Sequence, residues 1–324
     1  MIEAKVTAEK PRLWVVSEPF YPDENTTAFH MTRFAEGLAE HFDVKALCGQ
    51  PSYSSRGVKA PKREVHNGVE IFRSAGTTLD KDVLLFRLTN MFTLGITMFF
   101  NALKFFQKGD RILAVTAPPT LQFITAAAAL RKGASYSLLV YDVYPDAIIA
   151  AGKMKPDSFF ARTIDFLNRW LYKHAARIFV IGRDMERLLS KKSEGLDIPI
   201  FIVPNCAETD FIHPRPKSEN ALLIELDIAD KFVLLYSGNM GRTHDLESIV
   251  ECAAMLVDQP QIHFLFIGDG GKKKWIEEQK KDRSLGNVTI LGLKPRAEQP
   301  IFLNACDVSL ISLNAGMNGI SVPS

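Results

Sequence analysis

Cysteines are few in this sequence, and no two of them stand close together. The chain has 324 residues and four cysteines, Cys48, Cys206, Cys252 and Cys306, each in or beside an apolar run and none in a C-x-x-C pair. Without such pairs the sequence offers no disulfide framework and no redox motif. We therefore expect reduced thiols in a cytoplasmic protein.

An excess of charge of either sign is also lacking. The 39 lysines and arginines against 37 acidic residues leave a net charge of only +2, which gives no indication of a nucleic acid partner. No G-x-G-x-x-G follows the first apolar strand, so a dinucleotide-dependent oxidoreductase is disfavoured. Hydrophobic residues at 47% and charged residues at 23% are typical of an ordinary globular protein.

Short apolar segments alternate with longer amphipathic ones along most of the chain. This alternation predicts an α/β fold in which helices cover parallel sheets. The predicted strands are 13–17, 42–48, 111–115, 137–143, 177–181 and 201–204 in the first half, and 232–237, 262–268, 287–292 and 307–312 in the second. Between the halves, residues 204–220 are rich in proline and polar side chains. We predict two Rossmann-like, doubly wound domains, 1–211 and 212–324, joined there.

Two glycine-rich loops follow the first two predicted strands of the second half. They are SGNMGR (237–242) and GDGGK (268–272), and each precedes a predicted helix whose first N–H groups are expected to be free to bind an anion. Each loop also carries a cation near the helix start, Arg242 or Lys272. The pattern predicts a diphosphate cradle, although such turns also serve packing alone in many α/β folds.

Polar loops also follow two predicted strands of the first half. In SEPFYPDENTTAFHM, the side chains of Asn25, Thr26 and Thr27 are suited to cap the next helix. In YDVYPD, Asp142 and Asp146 lie at the end of a strand, where a carboxylate can reach a ligand hydroxyl. Isolated acids at strand ends are more often helix caps or solvated groups, so both interpretations stay open.

The segment from Leu84 to Phe106 is unusually apolar. Its sixteen successive uncharged residues, 88–103, are fewer than the ~20 needed to span a bilayer. The polar residues recur every three or four positions and predict one narrow polar stripe on an apolar helix; they are Arg87, Asn90, Thr93, Thr97, Asn101 and Lys104. A helix packed in the first domain and a helix in contact with a membrane surface are both compatible with this pattern.

Taken in order, these motifs resemble those of the GT-B glycosyltransferases of family 4, a retaining class. The resemblance is to the subgroup that assembles bacterial O-antigen and capsule, including the N-acetylfucosamine-type transferases, and it covers nearly the whole chain. It is carried by EPFYPDENTTAFHM, YDVYPD, VPNCAETDFIHP, YSGNMGRTHDLESIVECA, FIGDGGKK, NVTILG and ACDVSLISL.

The resemblance implies an activity and its site. A sugar, in this subgroup an N-acetylated amino sugar, would pass with retention from a nucleotide sugar, usually UDP-linked, to a lipid-linked or glycan acceptor in cell-surface polysaccharide biosynthesis. No metal would be required, and the enzyme would lie in the cytoplasm or at the inner face of the cytoplasmic membrane. Glycines would let backbone amides approach the diphosphate, and Arg242 would neutralise the charge of the leaving group.

The residues implied for each role are as follows. The nucleotide sugar would contact Ser237, Gly238, Asn239, Gly241, Arg242, His244, Gly268, Asp269, Gly270, Lys272, Asn318 and Gly319. Tyr21, Asn25, Thr26 and Thr27 would form the acceptor-side loop, and Asp142 would be the catalytic residue.

The sequence also departs from the family pattern. Many members have an arginine where this chain has Asn239, a lysine near His244 and Asp245, and a glycine pair where this chain has Asn25–Thr27. Members also continue past the equivalent of NAGMNGISVPS into a helix whose glutamate holds the ribose. We therefore expect the second domain to be truncated and the 324-residue chain to have little activity.

Two other functions stay open at this point. A nucleotide-sugar epimerase has a related two-domain fold and would release an epimerised sugar nucleotide without any acceptor. A catalytically inactive interaction subunit would not bind the donor.

Overall fold

The computed structural model describes residues 10–51, 59–77, 79, 83–205 and 207–322. The chain forms two compact units. The first comprises the chain up to Asn205 together with Gly319–Val322, and the second comprises the later residues up to Asn318. The division after Asn205 falls inside the proline-rich segment 204–220 and ahead of the predicted boundary between residues 211 and 212.

An eight-stranded sheet forms the centre of the first unit. Its strands are β1 (Arg12–Val16), β2 (Asp43–Cys48), β3 (Arg63–His66), β4 (Val69–Arg73), β5 (Arg111–Val115), β6 (Ser135–Val140), β7 (Arg177–Val180) and β8 (Ile200–Ile202). They lie in the order β3-β4-β2-β1-β5-β6-β7-β8, with β3 and β4 antiparallel and the other neighbours parallel. The central strands are runs of apolar residues because both of their faces are covered.

Helices connect these strands. They are α1 (Thr26–Leu38), α2 (Leu84–Phe105), α3 (Leu121–Lys132), α4 (Asp146–Ala150), α5 (Phe159–His174) and α6 (Arg183–Lys192). The strand order reverses at β1, which lies between β2 and β5. In open parallel sheets, ligands bind beside the carboxyl ends of the strands at such a reversal. The loops after β1, β5 and β6 lie along that edge of the sheet.

The second unit is a smaller parallel sheet with its own core. Its helices are α7 (Ala221–Glu225), α8 (Leu246–Met255), α9 (Lys273–Asp282) and α10 (Gln299–Leu303), and its strands are β9 (Phe232–Ser237), β10 (Ile262–Ile267), β11 (Val288–Leu291) and β12 (Val308–Ser309). The strand order is β11-β10-β9-β12, and each pair is parallel. Because β9 and β10 are parallel neighbours, the loops that follow them lie side by side.

The middle of the polar stripe of α2, from Asn90 to Asn101, faces the protein. The side chains of Asn90, Thr93 and Asn101 bond to the segment between β4 and α2, with Thr77 Oγ1 2.8 Å from Asn90 Oδ1 and Asn101 Nδ2 2.9 Å from Ser74 Oγ. Thr97 donates to the carbonyl of Ala75. One apolar flank of the helix, with Leu94, Met98 and Ala102, packs in the core. The other flank is exposed, and carries Leu85, Leu88, Phe92, Ile96 and Phe100.

The predicted α/β class with parallel sheets is confirmed, whereas some elements differ. The hairpin of β3 and β4 is missing from the prediction, although Asn67 and Gly68, at φ 45° and 82°, form the Asn-Gly turn typical of hairpins. The predicted strands 137–143 and 307–312 are too long, because pairing ends at Val140 and at Ser309.

Candidate functional site

The two glycine-rich loops of the second unit lie against each other through backbone hydrogen bonds. Gly238 N–H donates to the carbonyl of Ile267 at 2.9 Å, and Met240 N–H donates to the carbonyl of Asp269 at 2.8 Å. In the opposite direction, Lys272 N–H donates to the carbonyl of Met240 at 2.9 Å. The predicted residues of the two loops therefore form one continuous surface at the carboxyl ends of β9 and β10.

The glycines of the two loops are required for different physical reasons. Gly268 and Gly270 have φ of +145° and +150°, and a Cβ added to them would lie 1.9 Å from the carbonyl oxygen of Gly238 and 2.6 Å from that of Met240. These two glycines are therefore needed for the packing of one loop on the other. Gly238, at φ +153°, has no heavy atom within 4 Å of its added Cβ, whereas a Cβ added to Gly241 would lie 3.0 Å from Asn239 Nδ2. Open space for a ligand thus lies at Gly238.

The starts of the two helices are not equivalent. The carboxylate of Asp245 caps α8, accepting hydrogen bonds from Ser248 N–H at 3.1 Å and from Ser248 Oγ at 2.6 Å. These bonds hold the pKa of Asp245 below its usual value. The prediction that the first N–H groups of α8 are free is therefore wrong for this N–H group. The start of α9 has no side-chain cap, since its N-cap residue is Lys272. Lys273 N–H donates to the carbonyl of Gly270 at 3.1 Å, so an anion there would meet the N–H groups that follow Lys273 in the first turn.

The side chain of Arg242, in the first loop, lies beside the second loop on the solvent side. A Cβ added to Gly271 would lie 3.9 Å from Arg242 Nε, which places this side chain beside the residue that precedes the N-cap of α9. Arg242 is exposed. Within the described residues, its guanidinium forms no ion pair or side-chain hydrogen bond. It therefore brings an uncompensated positive charge to the uncapped helix start.

Lys272 already has partners within the second unit. Its Nζ donates to the carbonyl of His244 at 2.6 Å and to Glu247 Oε2 at 2.7 Å. His244 Nδ1 lies 3.1 Å from the carbonyl of Ser312, which can only accept, so Nδ1 carries the proton. Burial, opposed by this hydrogen bond, lowers the pKa of His244, and its Nε2 is then an acceptor. Lys272 thus fixes the first loop, and Arg242 is the more available cation.

Two residues that hold the first loop are absent from the prediction. Asn314 donates its backbone N–H to the carbonyl of Thr243 at 3.0 Å and its Nδ2 to the carbonyl of Arg242 at 2.7 Å. Ser312 Oγ donates to the carbonyl of Asp245 at 2.8 Å. Both residues follow β12, and their short polar side chains in SLISLNAG are the only sequence signal of this role.

Asp142 lies two residues beyond β6 on the carboxyl edge of the first sheet. It forms an isolated antiparallel bridge with Ser321, and the neighbouring Val143 N–H donates to the carbonyl of Ile320 at 3.0 Å. Burial raises the pKa of Asp142, although a hydrogen bond from the Ser321 side chain opposes the shift. The second acid of YDVYPD, Asp146, instead pairs with Lys192 at 2.7 Å. The structure therefore separates the two acids, giving Asp146 a structural partner.

The loop after β1 has the predicted helix cap. Asn25 Oδ1 accepts from Ala28 N–H at 2.9 Å, so Asn25 is the N-cap of α1. Thr26 begins the helix and is exposed, and Thr27 is half-buried. Tyr21 stacks on the ring of His66 with centroids 3.7 Å apart. The capping interpretation is confirmed for Asn25, and the acceptor-side role of these residues stays a prediction.

Asn318 and Gly319 fall in different units. Asn318 is the exposed last residue of the second unit. Gly319 belongs to the first unit at φ +73°, and a Cβ added to it would lie 2.5 Å from the carbonyl oxygen of Asp184 near the start of α6. Close packing therefore accounts for this glycine, and its predicted contact with a nucleotide sugar stays a prediction.

The described residues contain neither a membrane-spanning helix nor a cluster of metal ligands. None of their helices combines the length and apolarity that crossing a bilayer requires. No group of three or more His, Cys, Asp or Glu side chains among them is placed to hold a metal ion.

Two family models match the chain. Residues 26–206 match the glycosyl transferase 4-like domain, and residues 223–322 match glycosyl transferases group 1. The chain is also 31% identical to the probable glycosyltransferase WbjE of Pseudomonas aeruginosa, over 97% of this chain and 76% of that protein. The chain belongs to the glycosyltransferases that combine a glycosyl transferase 4-like domain with a group 1 domain. The chain is similar as well to the putative colanic acid biosynthesis glycosyl transferase WcaI of Escherichia coli K12. The two are 31% identical over 67% of this chain and 54% of that protein.

The fold of this glycosyltransferase resembles that of solved GT-B structures. Anabaena Alr3699/HepE, solved in complex with UDP and glucose, superposes with a TM-score of 0.67 at 14% identity, covering 94% of this chain and 74% of that one. The predicted GT-B class is thereby confirmed.

Proposed function

We propose that this glycosyltransferase transfers an N-acetylated amino sugar, with retention, from a UDP-linked donor to a lipid-linked or glycan acceptor in cell-surface polysaccharide biosynthesis. The family membership supports sugar transfer. The colanic acid relative supports a polysaccharide product, and UDP in the Anabaena structure supports a uridine nucleotide.

One observation carries the assignment of the donor site. The exposed, unpaired Arg242 lies beside the start of α9, which has no side-chain cap, and Gly238 in the same loop has open space. A diphosphate needs cationic charge, free N–H donors and room for close approach. The paired loops offer all three, and the hydrogen bonds of Asn314 and Lys272 hold the loop that carries Arg242.

The chemistry follows from where charge develops. Breaking the bond between the sugar and the diphosphate leaves negative charge on the phosphate oxygens. The guanidinium of Arg242 and the positive end of α9 stabilise that charge more in the transition state than in the ground state. In the proposed retaining mechanism, the leaving phosphate accepts the proton of the acceptor hydroxyl. Asp142, at the carboxyl edge of the first sheet, is the proposed residue that contacts the donor sugar.

The outer flank of α2 is the proposed contact with the membrane that carries the acceptor. The side chains of Asn90, Thr97 and Asn101 are hydrogen-bonded inside the protein. An apolar face is left outward, on which Phe92 is 69% exposed and Phe100 is 64% exposed. The helix has 22 residues and thus extends over about 33 Å. A helix with such a face lies in the plane of the membrane interface. The enzyme would then work at the inner face of the cytoplasmic membrane.

Transfer itself is tested with the protein expressed from its complete gene. UDP-N-acetylated amino sugars are incubated with a labelled lipid-linked acceptor, and the product linkage is determined by NMR. Label in the lipid fraction with the donor's anomeric configuration supports the proposal. Free epimerised sugar nucleotide without acceptor would identify an epimerase, and no donor binding would identify an inactive subunit.

The membrane contact is tested separately. Replacing Phe92 and Phe100 by serine is expected to weaken binding to liposomes about tenfold or more, because each exposed ring loses part of the ~1.5–3 kcal/mol of its burial. Phe99 is a poorer probe, since it packs partly against the core. Unchanged liposome affinity in the folded double variant would reject α2 as the contact.

A further inference from the structure

Helix α5 presents aromatic side chains to solvent. Phe159 is 77% exposed and Phe166 is 71% exposed, and Trp170 stands on the same side of the helix. These residues are separated by seven and four positions, which places them on one face at 3.6 residues per turn. The opposite face packs inward, with Ala161, Asn168, Leu171 and Tyr172 buried. Nothing in the described part of the first unit covers the aromatic face.

The aromatic face of α5 belongs to the same helical layer as the apolar flank of α2. From β4 to β5, from β5 to β6 and from β6 to β7 the chain moves in one direction along the sheet. Right-handed crossovers therefore place α2, α3 and α5 on one face of the sheet. Direct packing agrees, since α2 packs on α3 and α3 packs on α5. Gly95 allows the first of these contacts, because a Cβ there would lie 2.8 Å from Ile124 Cδ1.

Cations border the aromatic face of α5. Arg162 and Lys173 are exposed. They lie four positions before and seven positions after Phe166, and since each residue turns the helix by about 100°, both fall on the same side of α5 as Phe166. Lys153 and Lys155 are exposed just before the helix. The acid of the helix, Asp165, is instead bonded to Lys192 at 2.9 Å. These four cations outnumber the exposed acid beside them, Asp157. A face of phenylalanine and tryptophan with such an excess of cations matches a surface with an apolar interior and anionic head groups.

We propose that α5 is a second membrane anchor, which inserts Phe159, Phe166 and Trp170 among lipids while Arg162 and Lys173 bind anionic head groups. This inference rests on the proposed membrane contact of α2 and assigns the class of lipid. Two parallel anchors in one layer fix the orientation of the first sheet relative to the bilayer, which a single helix does not. The carboxyl edge that carries Asp142 is then held at a constant height above the acceptor.

The test is co-sedimentation of the 324-residue protein with vesicles of equimolar phosphatidylglycerol and phosphatidylcholine, and with vesicles of phosphatidylcholine alone. The double variant Phe159→Ser/Phe166→Ser is expected to bind both vesicles about tenfold more weakly. The matched control, Val65→Ser/Met255→Ser, removes apolar side chains of similar exposure outside this layer and is expected to bind like the parent. Circular dichroism melting of each variant verifies that it is folded.

The cations are tested by Arg162→Gln/Lys173→Gln. This variant is expected to lose about 10- to 30-fold in affinity for the anionic vesicles only, because each cation contributes about 1 kcal/mol at an anionic surface. The same effect is expected from raising the salt from ~0.1 M to ~1 M, which screens exposed charges. The control Lys274→Gln/Lys281→Gln, on the exposed face of α9, is expected to leave affinity unchanged.

Three results would overturn the proposal. Parent-like vesicle binding by folded Phe159→Ser/Phe166→Ser would show that α5 does not insert. Equal loss on neutral and anionic vesicles in the glutamine variant would remove the head-group assignment. A lipid-free dimer of the parent that Phe159→Ser/Phe166→Ser dissociates, measured by light scattering, would show that a second copy covers the face. These outcomes are distinguishable from failure of the proposed function, because parent-like vesicle binding by the α2 variant, or absence of UDP binding, does not change what the α5 variants measure.

Discussion

Replacing Gly268 by alanine is expected to destabilise the second unit more than the same replacement at Gly238 or Gly286. A methyl group at Gly238 has open space, so it costs only the strained backbone at φ +153°, about 1–3 kcal/mol. At Gly268 the same strain is joined by a contact of 1.9 Å with the carbonyl oxygen of Gly238. Relief requires the first loop to move away and lose its bond to Ile267, about 1 kcal/mol more. We expect a total loss of about 2–4 kcal/mol, which is about 1 kcal/mol more than at Gly238.

Gly286 provides the control. Its added Cβ has no heavy atom within 4 Å, and its φ is not in the left-handed region, so alanine there is expected to be neutral or slightly stabilising. Urea unfolding followed by circular dichroism measures the three variants, and hydrogen exchange of peptides from β9 and β10 assigns the loss to the second unit. Equal losses at Gly268 and Gly238 would refute the argument that loop packing requires Gly268.

Three further changes test separate parts of the structure. Burial lowers the pKa of His263 to about 4, so between pH 6.5 and 4 the unfolded chain binds a proton that the folded chain does not. The free energy of unfolding therefore falls by about 3 kcal/mol as the pH drops from 6.5 to 4. His263→Gln should flatten this dependence in urea unfolding at several pH values, and an unchanged slope would contradict it. Asp142→Asn is expected to lower kcat for sugar transfer about 100-fold with little change in donor affinity, and full turnover would remove Asp142 from the mechanism. Asn314→Ala frees the carbonyl of Arg242 and should weaken UDP binding several-fold in calorimetry, whereas parent-like affinity would show that Asn314 does not position the loop.

Much of the fold could be predicted because its strands are short apolar runs between amphipathic segments. Strand 232–237 was predicted with the bounds that β9 has, and the apolar segment that begins at Leu84 does form a helix. The hairpin at Asn67 and Gly68 also had a local signal, which the prediction overlooked. Local patterns of this kind depend on residues a few positions apart, so a sequence displays them directly.

The site was less predictable because its geometry depends on contacts between distant residues. Both glycine-rich loops were found, but their sequence cannot distinguish Gly268, which another loop requires, from Gly238, which has open space. The cap of α8 by Asp245 could have been inferred from Ser248 three positions later. The sequence does not show that the polar stripe of α2 faces the protein, because the hydrogen-bond partners of the stripe lie in the segment before the helix.

The central claim is that the paired loops of the second unit bind the diphosphate of a UDP-linked donor through Arg242. Isothermal titration of UDP into the parent and into Arg242→Ala tests it most directly, with Lys281→Ala, an exposed cation in the last turn of α9, as the matched control. The account predicts saturable binding to the parent, a loss of about 1–3 kcal/mol in Arg242→Ala, or roughly 5- to 150-fold in Kd, and no change in the control. Absence of saturable binding to the folded parent, or the same Kd in Arg242→Ala, would contradict it.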